Sequence, residues 1–395
     1  MKQEKPSLSA VLEQVVADEL VDLFVALTSI SSPSGAEREV ADFILAYLRA
    51  LGLEPWEDDT GSVIGGDAGN IMCCVQADAE DVPIIVLGAH MDTVPPDGPI
   101  VPVLSGGVFR NDAGGILGAD DKTAVAALLC ATKAMVTCHE RLPAYELLFT
   151  VSEETALTGV KHLDQEKIKS RLGVVLDSAG PVGGIVVAAP SQNTIRATFR
   201  GEAAHAGVEP ERGRNAVWAA GKALAHMTLG RLDEETTTNM GLIRGGTARN
   251  IVPAECFLEG EARSHNETKL AAATGALVDA IQLGAAETGV DVDVEVVTEY
   301  RGYHLNARSS AVRLAKRAVK EIGVQSRVEV AGGGADANVL NERGLPTVNL
   351  TTGMKDMHSA YESQPLRELE RLTHLVTALV RLAPDYTSRG AGRKG

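Results

Sequence analysis

The chain has 395 residues, and its 37 Lys+Arg against 53 Asp+Glu leave a formal net charge of −16 at pH 7. That surplus of acid excludes nucleic acid and anionic membrane surfaces as partners, because both need clustered cations. A hydrophobic content of 45% at this length supplies real cores for two or three domains.

The first 24 residues carry charges every few positions and have no apolar core of signal-peptide length, and no stretch approaches 18 apolar residues, so the expectation is a cytoplasmic protein without a spanning helix. Residues 8–29 and 36–51 have apolar positions at helical spacing. The cysteines at 73, 74, 130, 138 and 256 show no CxxC or zinc-finger spacing and read as reduced thiols of the core. The uninterrupted apolar runs 84–87, 147–151 and 173–176 have the length and character of strands buried on both faces, and 121–135 between the first two suits a helix. This pattern predicts an α/β domain with a largely parallel, mixed sheet.

From about 190 the texture changes. Residues 194–200, 255–263 and 292–296 alternate, 240–243 reads as a short strand, and 213–229 and 267–288 read as helices. The order β-α-β-β-α-β is that of a small ferredoxin-like α+β unit. A helix at 308–322 and an apolar strand at 345–350 then resume the first style. The predicted organisation is a first domain built from 1–189 and 303–395, with 190–302 inserted as a lid or dimerisation domain. The tail 389–395 reads as disordered. Many of the 40 glycines fall in short loops, as at 106–107, 114–115 and 332–334, which predicts sharp turns.

Chemistry collects where the buried runs end. The run 84–87 leads to Gly88-Ala89-His90-Met91-Asp92, and a Gly-rich loop delivers Asp120-Asp121 to the start of a helix. The run 147–151 leads to Glu153-Glu154, 174–176 to Asp177, and 348–350 by a glycine turn to His358. Open α/β sheets bind ligands at the carboxyl ends of their strands. Imidazoles and carboxylates without thiolate suit zinc or a neighbouring divalent transition metal. Crowded carboxylates repel unless cations neutralise them, and two ions sharing one carboxylate would resolve this. In an extended exit, residues two apart face the same side, so Asp92 is expected to fix the tautomer of His90. One of the two adjacent glutamates could bind metal while the other takes a proton from water. Asp121 reads as a first-turn helix residue.

The segments GAHMDTVPP (88–96), GADDKTAVAALL (118–129), VSEET (151–155), LDSAGPVG (176–183), GEAAHAG (201–207), ARNIVPAE (248–255) and 332–359 together resemble the dinuclear zinc peptidases of metallopeptidase family 20. The segments LDSAGPVG (176–183) and 332–350 look closest to its peptidase T-like, tripeptide aminopeptidase-like branch. The resemblance implies a zinc-peptidase catalytic domain with two divalent ions, zinc by preference and cobalt or manganese as substitutes. His90 and Asp177 would hold one ion, Glu154 and His358 the other, and Asp120 would bridge them. It further implies Glu153 as general base, Asp92 as the partner of His90, and His205 as a donor to the oxyanion. Asn250, Arg263, Gly333 and Asp336 would bind substrate.

The expected activity is hydrolysis of small peptides, with no membrane or nucleic-acid partner and with the inserted domain as the surface for a homodimer. An N-acyl amino acid amidohydrolase or a carboxypeptidase would use the same centre, and a non-catalytic metal- or peptide-binding protein is the remaining alternative.

Overall fold

The computed structural model describes residues 7–387, apart from 77, 79, 80 and 139, so the tail 389–395 lies outside the described residues. The chain divides into two compact units: 1–187 with 304–330 and 335–395, and 188–303 with 331–334. Residues 331–334, which the sequence pattern grouped with the first domain, thus belong to the second unit.

The first unit is built on a mixed sheet. Its centre is four parallel strands in the order Tyr145–Thr150, Ile85–His90, Leu172–Ser178, Thr347–Thr351. Ile71–Val75 joins one side antiparallel and Gly184–Ala189 the other. Every residue of the 85–90, 145–150 and 347–351 strands is buried, as expected of strands covered on both faces. Parallel pairing also brings their carboxyl ends to one edge, which gathers His90, Glu153, Glu154 and Asp177.

Helix Leu8–Ser29 starts at Ser7, whose hydroxyl accepts from Ala10 N, and buries Leu8, Leu12, Val16, Leu20 and Leu23 along one stripe. Helix Ala119–Thr137 is buried over almost its whole circumference, as a helix in the middle of a core must be. Of the five free cysteines four are buried; Cys74 is exposed because it takes the outward position of the Ile71–Val75 strand. A small three-stranded sheet of Pro102–Ser105, Val108–Asn111 and Gln364–Pro365 was not anticipated.

The second unit carries the expected β-α-β-β-α-β order. Strands Ser191–Arg200, Thr236–Gly245, Glu255–Ser264 and Asp291–Tyr300 pair antiparallel, with the first strand between the third and fourth. Helices Ala216–His226 and Glu267–Thr288 pack on the sheet through Ala219, Ala223, Leu277 and Ile281 against Ile195, Phe199 and Leu258. Among the described residues no helix is long and apolar enough to cross a membrane.

Candidate metal centre

His90 is the last residue of its strand, and its imidazole is 2% exposed. Its Nδ1 lies 2.9 Å from the backbone carbonyl of Asp92 and 3.4 Å from the Asp92 carboxylate. A carbonyl oxygen only accepts, so Nδ1 carries a proton and Nε2 is the atom turned to the site. Nε2 is 3.1 Å from Asp120 Oδ1 and 3.8 Å from Asp177 Oδ1. The other oxygen of the same carboxylate, Asp120 Oδ2, lies 3.2 Å from His358 Nε2, which is also 2.7 Å from Glu154 Oε1. Two donor groups result, His90 with Asp120 and Asp177, and Asp120 with Glu154 and His358, each with ligand atoms within 4.8 Å of one another.

Local backbone geometry explains how the side chains reach these positions. Gly118 has a left-handed φ of 72°, which glycine adopts without strain, in the turn that aims Asp120 into the site. Ser152 also takes a positive φ, 50°, and turns the chain sharply after the Tyr145–Thr150 strand. The turn presents two amides to Asp92: Glu153 N donates to Oδ1 at 2.9 Å and Glu154 N to Oδ2 at 3.1 Å. Ser34 Oγ donates to Oδ2 at 2.6 Å. Asp177 is held by Asn349, whose Oδ1 accepts from Asp177 N and whose Nδ2 donates to Asp177 O.

Burial and crowding set the electrostatics of the site. Burial drives the pKa of Asp177 well above the usual carboxylate range, helped by Asp120, and burial with Asp177 does the same to Glu153. Burial also works to raise Asp120, but hydrogen bonds from His358 and His90 outweigh it and hold this carboxyl low. For His90 burial pulls downward, yet Asp120, Asp92, Glu153 and Asp177 keep the imidazolium well above its ordinary value. Hydrogen bonds to Asp120 and Glu154 push His358 up to about 10. The two imidazoles thus carry the positive charge that faces these carboxylates. Imidazole nitrogen with carboxylate oxygen is a donor set that fits zinc and its neighbours. Among the described residues, buried Asp121 Oδ1 and Asp336 Oδ1 have no hydrogen-bond partner.

Asp121 stands in the first turn of Ala119–Thr137, as expected. It is fully buried, and its Oδ2 accepts from His90 N at 3.3 Å. Asp336, expected to bind substrate, is 4% exposed and accepts from Thr150 Oγ1 at 2.5 Å, and burial pushes its carboxyl up to about 6. Its surroundings are His90, Asp92, Glu153 and Asp177 rather than an open face. The structure thus brings His90, Asp92, Asp120, Glu153, Glu154, Asp177, Asp336 and His358 together in the first unit. His205, Asn250, Arg263 and Gly333 lie in the second. There His205 is exposed, with Nδ1 accepting from Gly207 N, and Ala206 N donates to the carbonyl of exposed Asn250. Arg263 makes a two-pronged pair with Glu261, and its guanidinium passes close to Gly333. Sequence reasoning missed Asn349, Ser34 and Lys122, whose buried ammonium donates to Ile30 O and whose pKa burial lowers to about 7.

The profile of Peptidase family M20/M25/M40 matches residues 86–382, a span that includes both donor groups. The chain belongs to this family. It is a peptidase hydrolase of a metal-dependent family, and the expectation drawn from its motifs holds at that level. A Bacillus subtilis (strain 168) protein, YqjE, is 39% identical over 361 residues, covering 91% of this chain and 97% of its own. The solved structure of aminopeptidase PepT from Bacillus cereus ATCC 10987 is 40% identical with a TM-score of 0.79, and covers 93% of this chain and 98% of that one. A tripeptidase from Staphylococcus aureus subsp. aureus mu50 is 32% identical with a TM-score of 0.84 at the same coverage. Human carnosine dipeptidase 1, at 15% identity and a TM-score of 0.77, shares the fold of this M20 peptidase.

Proposed function

We propose that the first unit holds two divalent metal ions, zinc by preference, and that the enzyme removes residues from the amino end of small peptides, tripeptides above all. The observation that carries the two-ion reading is that the two oxygens of Asp120 each lie within 3.2 Å of a different imidazole Nε2. His90 and Asp177 would complete one site, Glu154 and His358 the other. Bound there, such ions would acidify water and polarise the scissile carbonyl.

The residues around them have separate tasks. Glu153 is the proposed general base, taking the proton of the attacking water and returning it to the leaving amine. Its backbone N–H donates to Asp92, which anchors the turn that carries it. Asp92 O fixes the His90 ring. Asp336, buried under this cluster, is proposed to support it instead of touching substrate. His205, whose Nδ1 accepts from Gly207, leaves Nε2–H to donate and is proposed as the oxyanion partner. Asn250, Arg263 and Gly333 are proposed for substrate binding, and the second unit as the lid or homodimer surface.

The aminopeptidase reading is supported by the aminopeptidase PepT and tripeptidase structures at 40% and 32% identity. It is tested by metal-reconstituted enzyme on free di- and tripeptides and their N-acylated counterparts. Cleavage of the free tripeptides alone is expected, whereas preference for the N-acylated set would move the function to amidohydrolase or carboxypeptidase. Glu153→Ala should lower kcat by at least about 10²-fold with metal content unchanged; a retained rate would remove Glu153 from its role.

A further inference from the structure

Glu362 lies outside both donor groups and is 3% exposed. Its Oε2 accepts from Leu117 N at 2.7 Å and Gly118 N at 2.9 Å, and its Oε1 accepts from Asp120 N at 3.0 Å. Three backbone amides within four residues thus converge on one buried carboxylate, at the turn that aims Asp120. Hydrogen bonds to an ionised, desolvated acceptor are the strong ones. Residues 355–363 in turn close on themselves, with Lys355 N donating to Ser363 O at 3.0 Å and Ser363 N to Lys355 O at 3.1 Å. His358 lies in that closed loop with a left-handed φ of 59°. One side chain therefore ties the loop bearing Asp120 to the loop bearing His358.

We infer that Glu362 is a positioning residue of the metal centre, locking these two loops so that Asp120 Oδ2 and His358 Nε2 face one cation. The inference rests on the two-ion reading above. The ion between Asp120, Glu154 and His358 depends on it most, since two of its three ligands ride on the tied loops. The other ion keeps His90 and Asp177, which stand on strand ends of the sheet. Groups that orient metal ligands are worth about 10–100-fold in metal affinity.

A matched control exists in the same unit. Glu146, also 3% exposed, accepts from Lys169 N and Ser170 N, but near the amino end of the strand whose carboxyl end leads to Glu153. The full-length chain is stripped with chelator, and bound zinc per chain is measured against free zinc, together with the melting temperature with and without metal. Wild type should bind two ions. Glu362→Ala should bind the weaker of them about 10–100-fold less tightly, with a smaller metal-induced rise in melting temperature. Glu362→Gln, which keeps one acceptor oxygen and loses the other, should fall between and carries the comparison if the alanine variant does not fold. Glu146→Ala should melt earlier when metal-free yet take both ions with wild-type affinity. Wild-type affinity in the two Glu362 variants, or an equal loss in Glu146→Ala, would overturn the inference. A wild-type chain that binds fewer than two ions would overturn the two-ion reading first, and this inference with it.

Discussion

Asp92 has two carboxylate oxygens and receives three donors besides its approach to His90: Glu153 N, Glu154 N and Ser34 Oγ. It is fully buried, so none of these can be replaced by solvent. The sequence pattern assigned it to the His90 ring, but the ring leans mainly on its backbone carbonyl, at 2.9 Å against 3.4 Å to the carboxylate. Its side chain is chiefly the anchor of the turn that carries Glu153, the proposed general base, and Glu154, a proposed metal ligand. Asp92→Asn keeps size and the backbone carbonyl but exchanges one acceptor for a donor, which must then face Glu153 N or Glu154 N. The expected result is a fall of at least about 10-fold in kcat with two ions still bound, because the imidazole contact survives while Glu153 is released. Steady-state kinetics with metal analysis checks this; loss of an ion at unchanged kcat would return Asp92 to the His90 ring.

At the level of elements, the site follows from parallel strands that end together. Between Asn349 and Thr351 the register against Leu172–Ser178 shifts, and the Asn349 side chain bonds both backbone groups of Asp177 there. Asn349→Ala should cost about 1–3 kcal/mol in denaturant unfolding for the unpaired groups, and should weaken metal binding through Asp177. Unchanged zinc affinity in that variant would show that Asp177 holds its place without the clamp. Each proposed ligand was legible because it is among the first polar residues after an apolar run or glycine turn. Asn349, Lys122 and Glu362 were not, because their partners are backbone groups of remote loops, which no periodicity reports. Strand Thr236–Gly245 was read as 240–243 for a related reason. Its buried positions include Thr236 and Thr238, while Leu242 and Ile243 are 42% and 52% exposed, so its apolar residues mark the wrong part. The ferredoxin-like order remained legible because the other three long strands and both helices keep their period.

Across the whole molecule the −16 charge is unevenly spent, since the first unit buries Asp92, Asp120, Asp121, Glu153 and Asp336 around one centre. This sets a pH dependence that differs with and without metal. Metal-free, Asp177 and Glu153 titrate above their unfolded values because of burial, and His358 titrates at about 10 because Asp120 and Glu154 hold its proton. All three shifts have one sign: at these three groups the folded chain binds more protons than the unfolded chain between the ordinary carboxylate range and about pH 10, while Lys122, lowered to about 7, works the other way. Stability from this site then falls as pH rises through that window, the His358 part being complete below the unfolded imidazole value and lost above about 10. Metal reverses the demand, because a ligating imidazole or carboxylate must first give up its proton. Zinc uptake at pH 7 should therefore release more than one proton per chain, and affinity should rise with pH. With free metal held constant at about 100 times the pH 7 Kd, where the added stability is about 2.7 kcal/mol, the falling Kd should make the metal-induced rise in melting temperature grow from pH 6 to pH 8. Calorimetric titration in buffers of different ionisation enthalpy counts the protons, and thermal melts give the increment. Uptake without proton release, together with an increment that does not change with pH, would mean that the imidazoles do not meet the ions.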